Sequence, residues 1–318
     1  MLVALMTAGG LVGLLVGGEL IVRGAVATAL RLGLSPLLIG MTIVALGTSA
    51  PEVVTSVEAA LAGVPDLAVG NVVGSNIANV LLVVGLCALV RPMLVANASF
   101  RRDALATFIG TLAGMAVLFL GVVERWMGTA LIVLLLAYLG YAYYQERHGK
   151  ESAAARQMAE EAAAEAGGKQ TGLLLGLLFT VMGLALIIVS AHLLVKGAVE
   201  IARFAGLSEA IIGATIVAVG TSLPEMVTSV VAALRGQSGV ALGNVMGSNL
   251  FNIMGVLGAT AVTQPFPAPP TILELDIWVM LAATLALWFL AARRPVVGRL
   301  EGGLLLLCYA GYLAILLK

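Results

Sequence analysis

The sequence predicts an all-helical integral membrane protein of ten transmembrane helices, arranged as two five-helix repeats of inverted topology. Three observations support this prediction. Of the 318 residues, 61% are hydrophobic and only 11% are charged, whereas soluble domains have about 25% charged residues. Apolar stretches long enough to cross a bilayer, which takes roughly 20 residues, follow one another along the chain. One stretch of 46 residues recurs 173 residues later with 28 identical positions.

The predicted spans are longer and more continuously apolar than the strands of an outer-membrane barrel, which alternate over about ten residues. They divide the chain into a first repeat (1–146), a connecting loop (147–171) and a second repeat (172–318). The loop is rich in Ala, Glu and Arg, which favours a helix that ends at Gly167-Gly168. The ten spans are predicted at 2–30, 36–62, 67–90, 103–123, 127–146, 172–201, 209–234, 239–262, 272–292 and 299–317.

The distribution of basic residues predicts the orientation of these spans. Connections on one side of the membrane hold twelve Lys and Arg residues, and those on the other side hold three. Because positively charged connections stay in the cytoplasm, we expect both termini outside and the 147–171 loop inside. The formal net charge is zero, so nothing indicates binding to nucleic acid. Cys87 and Cys308 are far apart in apolar runs and form neither a disulfide framework nor a zinc motif.

The internal repeat predicts a transporter. Residues 40–85 align without gaps on 213–258. Each half has five predicted spans, and because five is odd, the second half enters the membrane in the opposite sense. Secondary transporters are built from such inverted repeats, with the binding site near the midplane where the halves meet. A structural protein or an enzyme with one site has no comparable need for two antiparallel copies of a polar motif.

Each copy of the repeat has one glutamate within an apolar span, Glu52 in the first and Glu225 in the second. A carboxylate at membrane depth costs about 3 kcal/mol or more unless it faces a partner or a wet cavity, so it is a functional candidate. Two such carboxylates at equivalent, inverted positions favour one shared site over two protonated groups that merely pack helices together.

A proline directly precedes each glutamate and predicts a broken turn. Pro51 has no N–H for the carbonyl of Gly47, and Pro224 has none for Gly220. Carbonyls freed at membrane depth are tolerated in protein or beside a wet cavity, and they are good ligands for hard cations. On a regular helix, hydroxyls three and four residues before each glutamate would share its face. These hydroxyls belong to Thr48, Ser49, Thr221 and Ser222.

The next span in each half adds a serine and an asparagine four residues apart, which places them on one helix face. Asn76 and Asn249 point elsewhere and are predicted to hydrogen-bond across helix contacts. All these groups offer oxygen, the ligand atom of Ca²⁺ and Na⁺, and no set of His and Cys suits a transition metal. The serine–asparagine pairs are Ser75 with Asn79 and Ser248 with Asn252.

The motifs GTSAPE and GTSLPE, each followed by GN-x-x-GSN-x-x-N, resemble the two alpha repeats of the sodium/calcium exchanger family of cation/Ca²⁺ antiporters. The resemblance covers essentially the whole chain and is of the prokaryotic type. It implies the ten-helix family fold in a prokaryotic plasma membrane, without a cofactor. It also implies alternating access, in which the first and sixth helices (2–30 and 172–201) slide past the rest.

The resemblance also implies roles for individual residues. Glu52 and Glu225 would bind Ca²⁺, helped by the carbonyls of Thr48 and Thr221, and Asn79 would lie at the centre of the cluster. The Na⁺ sites would use the same glutamates together with Ser49, Ser75, Ser222, Ser248 and the carbonyls of Ala45 and Ala218.

One position departs from the family pattern, because family members tend to have Asp where this chain has Asn252. Two carboxylates neutralise one Ca²⁺, two Na⁺ or two H⁺, so the coupling ratio and the coupling ion stay open. The GTS-x-PE form favours Na⁺, with Ca²⁺/H⁺ exchange at the same site as the alternative.

Two other classes fit the sequence less well. A passive cation channel would need a filter, and no filter sequence is evident. An intramembrane hydrolase would need paired aspartates, and the three in the chain lie near helix ends: Asp66, Asp103 and Asp276. The expected partners are therefore the transported ions and the lipid bilayer. Since the repeat can build a complete site within one chain, no protein partner is required.

Overall fold

The computed structural model describes residues 2–95, 98–148, 152–165, 171–204, 218–293 and 295–316. These residues are almost entirely helical. Seven of the described helices are long and apolar enough to cross a membrane, or eight if one bent pair is counted as a single span.

The first half contains six helices. They are α1 (Leu2–Leu32), α2 (Pro36–Thr48), α3 (Ala50–Leu61), α4 (Pro65–Val90), α5 (Ala98–Phe119) and α6 (Arg125–His148). Two short strands separate the last three of these helices, β1 (Met93–Leu94) and β2 (Val122–Val123).

A connecting helix, α7 (Ser152–Glu165), leads into the second half and confirms the helix predicted there. Gly167-Gly168, its predicted end, lies outside the described residues. The second half contains α8 (Leu173–Phe204), α9 (Ala218–Thr221), α10 (Leu223–Leu234), α11 (Ser238–Thr263), α12 (Pro270–Glu274), α13 (Asp276–Arg293) and α14 (Arg299–Leu316). Its strands are β3 (Phe266–Pro267) and β4 (Val296–Val297).

Two of the predicted spans differ clearly from the structure. Helix α5 begins at Ala98, five residues before the predicted 103, because its polar first turn is helical as well. The span predicted at 272–292 is interrupted at Leu275, whose backbone leaves the helical region (φ −129°, ψ −56°). The first part of the span predicted at 209–234 falls outside the described residues.

The two longest helices, α1 and α8, pack antiparallel through a seam of small residues. A Cβ at Gly17 would lie 3.0 Å from the carbonyl oxygen of Gly183, and one at Gly24 would lie 2.6 Å from that of Gly176. Only glycine leaves room for such contacts, as in the small-residue interfaces of other membrane helices. Both helices lie at the periphery, since roughly two thirds of the residues in their apolar stretches are not buried.

Helices α4 and α11 form the centre of the molecule, and most of their residues are buried. Helix α11 contacts α2 at Gly243 and Gly247, where a Cβ would collide with the carbonyl oxygens of Leu37 and Met41. This close approach brings the polar residues of α2 and α11 into one layer. Small residues of this kind are typical of close contacts between membrane helices.

The short strands join the halves in two matching pairs. Strand β1 pairs with β4, and β2 pairs with β3, both antiparallel. In the repeat alignment β1 corresponds to β3, and β2 corresponds to β4 with a one-residue shift, so each pair reproduces the other with the halves exchanged. One side-chain contact also joins equivalent residues of the two halves. The hydroxyl of Thr111 donates to that of its counterpart Thr284 (3.5 Å).

Candidate ion-binding site

The centre of the site is a break that occurs in the same place in both halves. Helix α2 ends at Thr48, and α3 continues from Ala50 at an angle of 44°. Ser49, between them, has φ −84° and ψ 4°, and its counterpart Ser222 has φ −85° and ψ 3°. The prolines that follow, Pro51 and Pro224, explain the break because neither can donate a backbone hydrogen bond.

The break exposes carbonyl oxygens, as predicted, although not the whole predicted set. The N–H of Ser49 donates to the carbonyl of Ala45 (2.9 Å), and the next backbone bond runs from Val53 to Ser49 (3.3 Å). The intervening carbonyls of residues 46–48 therefore lose their helical partners. The carbonyl of Ala45 is engaged by the N–H of Ser49, and the hydroxyl oxygen of Thr48 lies 3.3 Å from it.

The two glutamates lie buried beside these breaks. Glu52 is fully buried, and neither carboxylate oxygen has a hydrogen-bond partner among the described residues. Glu225 is buried to the same degree, and its Oε1 accepts a bond from Ser49 Oγ (3.1 Å), whereas Oε2 has no such partner there. Ser49 lies at the same break as Glu52 and bonds to Glu225, so both carboxylates belong to one cluster at the break. A buried pair of this kind is stable only with a cation or a proton.

The two predicted asparagines complete the cluster of unpartnered groups. Asn79 and Asn252 are fully buried, and neither the oxygen nor the nitrogen of either amide has a partner within the described residues. Both lie in π-helical turns, which run over Asn79–Val84 and Phe251–Val256. Turns of this type are frequent at functional sites. The buried hydroxyl of Ser248 is unpartnered in the same sense.

Two of the remaining predicted ligands, Ser222 and Ser75, form a contact between the halves. Ser222 Oγ donates to Ser75 Oγ (3.4 Å), a contact that joins the second-half break to helix α4 of the first half. Ala218 and Thr221 form the helical turn that precedes the second break. The bonds that join Ser49 to Glu225 and Ser222 to Ser75 run across the two halves, while the roles of all the predicted residues as ion ligands stay predictions.

Two asparagines that the sequence analysis left without a role hold the glutamate-bearing helices in place. The amide of Asn71 donates to the backbone carbonyl of Glu52 (3.4 Å) and to the hydroxyl four residues later (3.0 Å). Asn244 makes the same two bonds around Glu225, at 3.3 and 3.0 Å. Their presence in both repeats was the signal that could have revealed this role.

Helix α11 also reaches across to the first-half break. Asn244 Oδ1 accepts a hydrogen bond from the hydroxyl of Thr48 (3.2 Å). Because this bond uses the side chain of Thr48, the backbone carbonyl of that residue stays available, and the carbonyl is the group predicted to bind an ion.

Other polar residues lie away from the cluster, as predicted. Asn249 donates to the backbone carbonyl of its counterpart Asn76 (3.4 Å) and so joins α11 to α4. Asp103 accepts from Tyr138 (2.5 Å), and Asp276 accepts from Tyr312 (2.9 Å), a second pair of equivalent contacts near helix ends. No group of three His, Cys, Asp or Glu side chains suited to a metal is found within the described ranges.

The sequence of this chain matches a known family of membrane proteins. A family model described as Sodium/calcium exchanger protein matches residues 2–144 and 175–318. The chain belongs to the sodium/calcium exchanger family. It is therefore an integral membrane antiporter and not an enzyme, as the sequence predicted.

Several relatives match over almost their whole length. CaxA of Alkalimonas amylolytica is 39% identical over 306 residues, which is 95% of each chain. The inner membrane protein YrbG of Escherichia coli K12 is 38% identical, covering 89% of this chain and 87% of YrbG. The sodium/calcium exchanger MaX1 of Methanosarcina acetivorans is 32% identical over 96% of each chain.

The fold is also that of a solved family member. The sodium-calcium exchanger NCX_Mj, soaked with 10 mM Na⁺ and 10 mM Sr²⁺, superimposes with a TM-score of 0.84 and 30% sequence identity over 98% of each chain. The same exchanger soaked with zero Na⁺ and Ca²⁺ gives the same TM-score over 99% of each chain.

Proposed function

We propose that this antiporter exchanges Ca²⁺ for Na⁺ at one site shared by its two halves. Glu52 and Glu225 hold Ca²⁺, and the same carboxylates hold Na⁺ when Ca²⁺ leaves. The observation on which this proposal depends is the buried carboxylate pair, which comes from opposite halves and has three of its four oxygens without a hydrogen-bond partner among the described residues.

The charge of the site suits Ca²⁺. Two carboxylates match the double charge of the ion, and freed carbonyls beside the first break supply further neutral oxygens. Asn79 and Asn252 add amide oxygens at equivalent positions from the two halves. Six to eight oxygen ligands in a flexible arrangement are typical of Ca²⁺ sites.

The serine hydroxyls support Na⁺ as the coupling ion. Ser49, Ser75, Ser222 and Ser248 are neutral oxygen donors around the carboxylates, and they can bind a monovalent ion without adding negative charge. The names of MaX1 and NCX_Mj, both sodium/calcium exchangers, support the same choice.

We propose that ten spans form two inverted repeats, with both termini outside and the 147–171 loop in the cytoplasm. The matching strand pairs and the Thr111–Thr284 contact support the inverted arrangement. In this topology the spans beyond the long helices are the two broken ones and α13, which is shorter. The glycine seam between α1 and α8 would let these helices slide together as one unit during alternating access.

Uptake of ⁴⁵Ca²⁺ into proteoliposomes tests the proposal. Vesicles loaded with Na⁺, K⁺ or choline are compared at equal pH on both sides. We expect uptake only with internal Na⁺, because the outward flow of Na⁺ drives Ca²⁺ inward.

Proton coupling is the competing outcome. A second set of the same vesicles is therefore given an acidic interior. Equal uptake with all three internal cations in this set, abolished when a protonophore collapses the pH gradient, would replace Na⁺ by H⁺ as the coupling ion. Uptake that needs no counter-ion at all would contradict antiport. Glu58→Gln serves as the matched control, since Glu58 is an exposed acid on the same helix as Glu52.

A further inference from the structure

A groove on the side of the helix bundle separates α13 from α14. Its cavity has a volume of about 520 Å³. Each wall is one stripe of a helix, with residues spaced at i, i+3, i+4 and i+7. One wall contains Ala282, Leu285, Ala286 and Phe289, and the other contains Glu301, Leu304, Leu305 and Cys308.

The two walls are anchored to the protein core separately, so the groove is preformed. Helix α13 is tied to α5 by the Thr111–Thr284 bond and by the stacking of Trp288 on Phe108, with ring centroids 5.9 Å apart. Helix α14 packs on α4, where a Cβ at Gly302 would lie 2.8 Å from the carbonyl oxygen of Gly85. To close the groove, α13 would have to leave α5, or α14 would have to leave α4.

Positive charge collects at one end of this groove. The guanidinium carbon of Arg293 lies 5.1 Å from the ring centroid of Phe289, a groove residue. Arg299 begins the opposite wall, and its Nε donates to the carbonyl of Leu89 (3.2 Å). The acid nearest to this end, Glu301, caps α14 by accepting the N–H of Gly298 (3.0 Å). Both arginine side chains are exposed.

We propose that the groove binds an anionic phospholipid, with one acyl chain between α13 and α14 and the phosphate at Arg293 and Arg299. Apart from Glu301 at this end, the walls are apolar and match an acyl chain, and the two exposed guanidinium groups match a phosphate. Basic residues at the end of a cleft between membrane helices are a recognised setting for anionic headgroups. The charge selects an anionic lipid over a zwitterionic one with the same chains.

Trp288 lies in the groove wall and reports its occupant directly. A full-length chain with Trp126→Phe and Trp278→Phe retains Trp288 as its single tryptophan. It is reconstituted with brominated phosphatidylglycerol or brominated phosphatidylcholine, whose bromine atoms quench fluorescence on contact. We expect the anionic lipid to bind about fivefold more strongly, and Arg293→Gln with Arg299→Gln to remove that preference.

Arg125→Gln provides the matched control. Arg125 begins α6 as Arg299 begins α14, and the two correspond with the same one-residue shift as β2 and β4. We expect it to leave the lipid preference unchanged. Equal quenching by both lipids, or a preference that survives the double substitution, would overturn the proposal. Weak quenching by both lipids, with chains that cross-link through exposed Cys308, would assign the groove to a second copy of this chain instead.

Discussion

The two broken helices share the GTS-x-PE sequence and have nearly the same backbone angles at the break, yet their serines contact different groups. Ser49 donates to Glu225 across the site (3.1 Å), whereas Ser222 donates to Ser75 (3.4 Å). Two serines at equivalent, inverted positions thus have different surroundings within one conformation. A transporter that opens to each side in turn requires such a difference, because its halves exchange environments during the cycle.

The glutamates show the same difference. Glu225 accepts a serine hydroxyl, while both oxygens of Glu52 have no hydrogen-bond partner among the described residues. The backbone carbonyls of both glutamates, by contrast, accept from equivalent asparagines, Asn71 and Asn244. The halves therefore share a rigid frame and differ at the groups that face the ion.

The largest expected effect comes from removing either charge. Glu52→Gln and Glu225→Gln should each lower Ca²⁺ affinity by roughly 100-fold or more, because the charge of the ligands sets the affinity of a Ca²⁺ site. Initial rates of ⁴⁵Ca²⁺ uptake measure this loss, with Glu58→Gln expected to behave as wild type. Retained uptake in either Gln variant would mean that the halves do not share one ion.

The next effect concerns folding. Gly243→Ala places a Cβ against the carbonyl oxygen of Leu37, and we expect a loss of about 1–3 kcal/mol from overpacking. Gly140→Ala, in a helix where no described residue lies within 4 Å of the added carbon, should be neutral or stabilise the helix by about 0.5–1 kcal/mol. Thermal unfolding in detergent compares them, and equal melting temperatures would contradict the close approach of α2 and α11.

The serines test the asymmetry itself. Ser49→Ala removes a bond to a charged group, worth about 1.5–3 kcal/mol, whereas Ser222→Ala removes one between neutral hydroxyls, worth about 0.5–1.5 kcal/mol. We expect the half-saturating Ca²⁺ concentration to rise about tenfold for the first variant and about threefold for the second. A larger effect of Ser222→Ala would reverse the assignment of the two environments.

The smallest effect is expected at an ion pair present in one half only. Glu19 of α1 accepts from Arg235 (2.7 Å), while the corresponding position of α8 is His192. Because Arg235 is 58% exposed, Glu19→Gln should change stability by less than about 1 kcal/mol. The melting temperatures of the variant and the wild type at low and high salt check this. A large difference between them that persists in high salt would contradict it, because salt screens an exposed ion pair.

Much of the site could be predicted because charge in an apolar run is rare and therefore conspicuous. Glu52 and Glu225 stood out for this reason, and Pro51 and Pro224 predicted the breaks beside them. The partner of Ser49 could not be predicted in this way. Helical spacing put it on the face of Glu52, but the chain turns at Ser49 itself, and its hydroxyl bonds to a residue 176 positions away.

The fold shows the same limit. Apolar length and the repeat predicted the helices, whereas the interruption at Leu275 has no proline or glycine to mark it. Contacts such as Asn71 with the carbonyl of Glu52 depend on how two helices approach each other. Spacing along one helix does not determine such an approach.

Calorimetric titration of Ca²⁺ into the purified chain tests the central claim most directly, namely that the two halves contribute one carboxylate each to a single ion. We predict one Ca²⁺ per wild-type chain and none per chain in either Glu52→Gln or Glu225→Gln. Two Ca²⁺ per wild-type chain, with one retained in each variant, would contradict the account, because each half would then hold an ion of its own.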